Sequence, residues 1–233
     1  MTAGYDIVVP TVGRACLGSL LDTLAAEGVE ARVILVDDRS RARTPLLARR
    51  PPAGLDIDVV RGRAGGPASA RNAGWRAGSQ EWVAFLDDDV VPQAGWAAAM
   101  AEDLVACGPG VAATQGRIVV PLPTDRRPTD WERNVAGLEH ARWATADMAY
   151  RRRALVALGG FDERFPRAYR EDADLGLRVV DAGWDIVLGR RRTSHPVRPA
   201  PWHVSVGKQA GNADDALMRA LHGRRWRERA GVP

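Results

Sequence analysis

The sequence predicts an α/β domain: a Rossmann-like, mostly parallel sheet with helices on both faces. Through the first hundred residues, short apolar runs alternate with longer amphipathic stretches, the order that winds strands and helices into a parallel sheet. Trp82-Val83-Ala84-Phe85-Leu86 is apolar at every position, as a strand covered on both faces must be. The chain has 233 residues, 45% of them apolar and 27% charged, a globular composition that suits one domain.

The elements follow in order. Asp6-Ile7-Val8-Val9 reads as the first strand, stopped by Pro10. Leu17, Leu20, Leu21 and Leu24 fall at i, i+3, i+4 and i+7, one apolar stripe of a helix. Residues 32–36 read as a second strand ending at Asp37-Asp38, and residues 55–60 as a weaker third. Gly65-Gly66-Pro67 opens a helix that runs to Ala77, with proline suited to the first turn. The fourth strand, Trp82 onward, ends at Asp87-Asp88-Asp89. Residues 111–121 read as a longer strand, 129–142 as helical and 148–150 as a short strand. A helix is expected over 171–182, with Asp174 and Arg178 spaced to pair and Gly183 to end it. A strand over 184–188 and a largely helical stretch from about 205 to 229 complete the reading.

The net charge of +4 is unevenly spread. Residues 190–233 hold ten Arg or Lys against three Asp or Glu, so that tail carries +7 and the remainder −3. Such a tail suits a solvated helical face or contact with an anionic surface, including peripheral contact with a membrane. Its aromatic content is too low for base stacking, so nucleic acid is not the expected partner. Two cysteines, Cys16 and Cys107, make neither a disulfide framework nor a metal knuckle, which fits reduced thiols in the cytoplasm. No apolar run reaches the length of a membrane helix, and no basic lead precedes the first apolar stretch.

Ligands of open parallel sheets bind beyond the carboxyl ends of the strands, and two acidic clusters stand at such ends. Asp87, Asp88 and Asp89 crowd like charges together unless a cation lies between them. Hard divalent ions accept carboxylate oxygens and keep positions open for phosphate, so the cluster reads as a metal–phosphate site; the alternative is a capped helix start. In extended chain Asp87 and Asp89 would face one way and Asp88 the other. Asp37-Asp38 could accept from a ribose or a base, or cap a helix. Arg71 could donate to phosphate or lie on the surface. Glu171-Asp172 at a helix start suits either a base held ionised by the helix dipole or a plain cap.

Three function classes use these residues. A phosphohydrolase would use the D-x-D-x-V run from Asp87 but needs a lysine ahead of its late acidic pair, and Lys208, the one lysine, comes after it. A non-catalytic nucleotide- or sugar-binding module is a second possibility. The third comes from the order of the pieces. Ile7-Val8-Val9-Pro10-Thr11, Val36-Asp37-Asp38-Arg39-Ser40, Ala70-Arg71-Asn72-Ala73-Gly74, Leu86-Asp87-Asp88-Asp89, Gly159-Gly160-Phe161-Asp162-Glu163 and Glu171-Asp172-Ala173-Asp174-Leu175 together resemble the family-2 glycosyltransferases of GT-A type fold.

That resemblance implies a metal-dependent, inverting transferase moving sugar from a UDP-, GDP- or dTDP-linked donor to an acceptor hydroxyl. It implies one domain over residues 1–233, with a nucleotide-binding half to about 110 and an acceptor and catalytic half beyond. It implies nucleotide contacts from Pro10, Thr11, Asp38, Arg71, Asp87 and Asp88. Asp89, with Asp87 and His195, would hold Mn²⁺ or Mg²⁺, His203 being the reserve for His195. Asp172 or Glu171 would be the base, and Asp147, Gly160 and Phe161 would lie near the sugar or acceptor. Where the family often has an aromatic residue and asparagine after Pro-Thr, this chain has Val12-Gly13.

Overall fold

The computed structural model describes residues 3–47, 49–200 and 211–232. Eight strands form one mixed sheet: β1 (Tyr5–Thr11), β2 (Val33–Asp37), β3 (Ile57–Arg61), β4 (Trp82–Leu86), β5 (Val91–Pro92), β6 (Val111–Val119), β7 (Asp147–Arg151) and β8 (Asp185–Ser194). Their order across the sheet is β3-β2-β1-β4-β7-β6-β8-β5. The first four run parallel. β7 lies antiparallel to both its neighbours, β4 and β6, which restores the direction of β4 in β6 and, through their parallel pairing, in β8. The carboxyl ends of β1, β2, β4 and β8 therefore share one edge.

Strand alternation builds a core on each face. Ile7, Val9, Val33, Leu35, Trp82, Ala84 and Leu86 pack against α1 (Leu17–Ala26), α3 (Trp96–Ala106) and α4 (Asp130–Ala136). Val8, Ile34, Val36, Val83 and Phe85 face the other way, onto α2 (Pro67–Ala77), α5 (Arg152–Leu158), α6 (Glu171–Asp181) and the two C-terminal helices, α7 (Asn212–His222) and α8 (Trp226–Ala230).

Several sequence expectations need correction. Pro10 does not stop β1, which continues to Thr11. The Ile7 N–H donates to Arg32 on the β2 side, so position 10 turns toward β4. The β4 ladder has already ended there, at Val8–Phe85, and the missing proline N–H leaves no partner unpaired. α3 and α5 were not foreseen: Trp-Ala-Ala-Ala-Met and Arg-Arg-Ala-Leu give little polar–apolar contrast around the helix. β8 extends to Ser194, well past residue 188. Part of the expected helix after residue 205 lies outside the described residues.

α2 carries Arg71 and Asn72, and its seat on the sheet is tight. Gly74 rests on Val8 and Val36, and a Cβ there would drive into their buried methyl groups. Alanine is the better helix former by about 1 kcal/mol, yet overpacking a core costs about 1–3 kcal/mol. Gly74→Ala should therefore lower stability in urea denaturation, and a gain in midpoint would contradict this packing.

Candidate active site

The Asp87–Asp89 segment is a turn, with the Val90 N–H reaching back to Asp87 O at 3.5 Å. The three carboxylates diverge because of that turn and not through strand alternation. Asp88 points inward, accepting from Thr11 Oγ1 at 2.5 Å and Arg14 Nη1 at 2.6 Å. It ties the end of β1 to the end of β4, so both it and the Thr11 hydroxyl are occupied within the fold. Asp87 remains partly exposed and accepts from Arg71 Nη2 at 2.9 Å. Asp89 is buried, with Arg198 Nε at 2.8 Å and His195 Nε2 at 3.7 Å. Burial and then the nearby Asp87 raise its pKa above the usual carboxylate range.

Asp87, Asp89 and His195 each bring one ligand atom within 4.8 Å of the others. A two-residue ladder makes this possible: Val91 pairs with Ser194 and Pro92 with Thr193, which brings the residue after β8 beside the turn before β5. His195 is then held by its own N–H on Val119 O at 2.8 Å. Among the described residues its Nδ1 is buried without a hydrogen-bond partner, whereas a purely structural histidine is ordinarily satisfied at both nitrogens. Two carboxylates and an imidazole suit Mn²⁺ or Mg²⁺, with further positions left for phosphate oxygens. The residues present fit such an ion. His203 lies outside the described residues.

At the end of β2 the two aspartates divide. Asp37 is taken by Arg39 and Arg61. Asp38 is buried, its Oδ2 accepting from the Gly66 N–H at 2.9 Å while Oδ1 has no partner. Gly62 leaves the space that this oxygen occupies, since a Cβ there would collide with it. The Asp38 N–H also donates to Thr11 O at 2.9 Å, which fixes the residue at the end of β1, and its unpaired carboxylate oxygen can accept from an N–H or O–H.

Arg71, only 2% exposed, joins the two acidic ends. Its Nη1 donates to Glu171 Oε1 at 2.8 Å and its Nη2 to Asp87. Its face covers the Phe161 ring at 5.6 Å. Burial pushes Glu171 up to about 7, with the Asp172 charge adding to the rise and Arg71 opposing it. Asp172 is raised too, chiefly by desolvation. It is less enclosed than Glu171, and one oxygen accepts from the Ala173 N–H at 2.7 Å. The arrangement offers a weakly acidic carboxyl pair, one member clamped and the other open, beside an acidic metal-type cluster.

Other expected residues sit elsewhere. Phe161 is in the core, edge-on to Phe85 and Tyr150. Asn72 pins the backbone around it, accepting from Phe161 N and donating to Phe161 O. Gly160 turns at φ 77° where a side chain would strike Asn72 and Trp75. Asp147, 0% exposed, does not reach the cleft. It accepts from Arg191 Nε at 2.7 Å, Thr193 Oγ1 at 2.5 Å and Trp96 Nε1 at 2.8 Å. Sequence reasoning placed it by resemblance; Arg191 and Asp103, which complete the cluster at 3.0 Å, carried no local signal. Arg14 and Arg198 were likewise missed, being arginines among many.

A family model, Glycosyl transferase family 2, matches residues 6–174. The chain belongs to glycosyl transferase family 2. A pre-mycofactocin glycosyltransferase of Mycobacterium tuberculosis is 34% identical over 167 residues, 65% of this chain and 34% of that protein. The family-2 chain thus spans about a third of the length of that curated relative. Among solved structures, S. aureus TarS in complex with UDP-GlcNAc aligns at TM-score 0.57 and 18% identity, covering 87% of this chain and 61% of TarS. Glucosyl-3-phosphoglycerate synthase of M. tuberculosis, in complex with Mn²⁺, UDP-glucose and phosphoglyceric acid, aligns at 0.56 and 17%, covering 99% and 81%. At these identities the structural likeness establishes the fold, which is GT-A, and it agrees with the family assignment.

The Asp147 cluster makes its own prediction for this family-2 domain. Arg191→Met would leave Asp103 and Asp147 buried without a cation, a loss of about 3–5 kcal/mol for such a pair. Unfolding in urea measures it, and a midpoint equal to wild type would mean that the cluster is not held by its charge.

Proposed function

We propose that this domain transfers a sugar, with inversion, from a nucleoside diphosphate sugar to an acceptor hydroxyl and that it requires a divalent cation. The observation carrying this reading is convergence: Asp38, the Asp87–Asp89–His195 group and the Glu171–Asp172 pair meet along one edge of the sheet. Asp38, tied by its N–H to Thr11 O, would receive the nucleobase through its unpartnered oxygen. Asp87, Asp89 and His195 would hold Mn²⁺ or Mg²⁺. That ion, when bound, would offset charge on the departing diphosphate.

Arg71 holds Glu171 in place, so the more open Asp172 is the better placed to take a proton from the acceptor hydroxyl. Desolvation raises its pKa above the usual carboxylate range, which strengthens it as a base. Arg71 also separates this reading from phosphohydrolysis, since an arginine stands between the acidic groups where that chemistry would want lysine. The donor nucleotide is read as uridine because both structural neighbours described above carry UDP-sugars. No helix among the described residues is long and apolar enough to cross a membrane. In the basic tail, Arg198 pairs with Asp89 and Arg229 with Asp181 of α6, while Arg227 pairs with Asp215 inside the tail itself. Part of the tail's charge is thus taken up by neighbouring carboxylates, which leaves less of it for a membrane surface.

Calorimetry of UDP binding tests the metal. With Mn²⁺ present the nucleotide should bind, and chelation or Asp89→Asn should each weaken it strongly while the fold survives. Affinity indifferent to metal would sink that part of the reading.

The base is tested by rate and by pH. Asp172→Asn should lower transfer by roughly 10²–10⁴-fold, the scale of general-base catalysis, with UDP affinity kept. In the unaltered chain the Asp172 carboxylate gains population as pH rises, so the acid limb of the activity profile should lie above the usual carboxylate range. An acid limb within the ordinary carboxylate range, or full activity in both Asp172→Asn and Glu171→Gln, would remove the pair as the base.

A further inference from the structure

The residue immediately before the acidic pair has an unusual backbone. Arg170 lies at φ 76°, ψ −13° as the cap of α6, a left-handed conformation that residues other than glycine adopt only when their surroundings hold them there. The helix depends on it, because the Arg170 carbonyl accepts the Asp174 N–H at 2.8 Å. No side chain caps this helix start, so the conformation must be imposed from elsewhere.

The contacts around Arg170 come from Tyr169 and from the C-terminal helices. Arg170 Nε donates to Asp215 Oδ1 of α7 at 2.8 Å. Its guanidinium lies over the Tyr169 ring at 4.1 Å and the Trp226 ring of α8 at 5.0 Å, and Nη2 donates to the Tyr169 hydroxyl at 2.7 Å. Arg227 of α8 joins the same Asp215. One residue earlier on α7, Asp214 takes both arms of Arg167 at 2.8 and 2.9 Å. Further along α6, His222 Nε2 meets Asp174 Oδ1 at 2.8 Å, and Arg229 pairs with Asp181. The two helices grip α6 along its length, from its cap to its last turn.

We propose that Arg170 is a positioning residue for Glu171 and Asp172, and that Asp215 and Trp226 hold it in its strained conformation. The C-terminal helices thereby set the geometry of the acidic pair without touching it. This inference rests on the reading of that pair as the base.

Two measurements on the full chain test it, with Arg170→Ala, Asp215→Asn and Arg170→Lys. The first is amide hydrogen exchange over residues 171–175 and needs no donor. Arg170→Ala and Asp215→Asn should speed exchange there by about tenfold or more while β1 to β4 keep their protection. The second is hydrolysis of whichever UDP-, GDP- or dTDP-linked sugar the wild-type chain cleaves fastest with Mn²⁺. kcat should fall by about 10–100-fold, the scale of a small misplacement, with KM and UDP affinity unchanged. Arg170→Lys, which can still pair and stack, should recover most of both losses. Unchanged exchange over 171–175, or wild-type kcat in Arg170→Ala, would overturn the positioning role. Full turnover in both Asp172→Asn and Glu171→Gln would instead remove the base reading beneath it.

Discussion

The Arg71 guanidinium is buried between two carboxylates from opposite halves of the domain: Asp87, just past β4, and Glu171, 100 residues away at the start of α6. Charge inside a fold is tolerated only when paired and hydrogen-bonded, and here the pairing is also architecture. If Arg71 moved, the start of α6 would keep a buried carboxylate without its cation and the turn after β4 would lose the partner of its half-buried Asp87. The tight seat of Gly74 on Val8 and Val36 and the four hydrogen bonds of Asn72 exist on the same helix and fix the same side chain in depth and angle. The sheet edge becomes a site because this one group reconciles the acids that face it.

Arginine is suited to that work. Its planar fork can serve two acceptors at once and remains charged when buried, and the chain carries 32 arginines against one lysine. Arg191 serves Asp103 and Asp147 in the same way, with Thr114 completing its donors. Arg178 joins Asp174 to the carbonyls of Leu158 and Gly160. A few of the arginines that composition presents as a basic surface are thus internal cross-braces, while most of the others remain exposed.

The first half of the chain was the more legible in sequence. Leu17, Leu20, Leu21 and Leu24 are all buried, as their spacing required, and β2 and β4 are buried at every position. Those signals are local, and local periodicity is what sequence displays. The clusters at Asp38, Asp87–Asp89 and Glu171-Asp172 were visible for the same reason. Invisible were contacts made only by tertiary pairing: Asp88 with Arg14, Asp89 with Arg198, and Asp147 with Arg191. The orientation of Asp88 was foreseen on a wrong premise, since a turn and not a pleat separates it from its neighbours. Arg170 could not have been singled out, because nothing in Tyr-Arg-Glu-Asp announces a positive φ.

The pairing of Val91 with Ser194 is made by backbone and is therefore indifferent to side-chain identity. It works as a latch: the two rungs, with the His195 N–H on Val119 O of β6, register the acidic turn and His195 by backbone bonds alone. Changes of length or surface confined to the loops outside these strands need not move the trio out of range. Evolution working on such a domain could recast those loops while leaving the trio's alignment untouched, so diversification and precision need not compete.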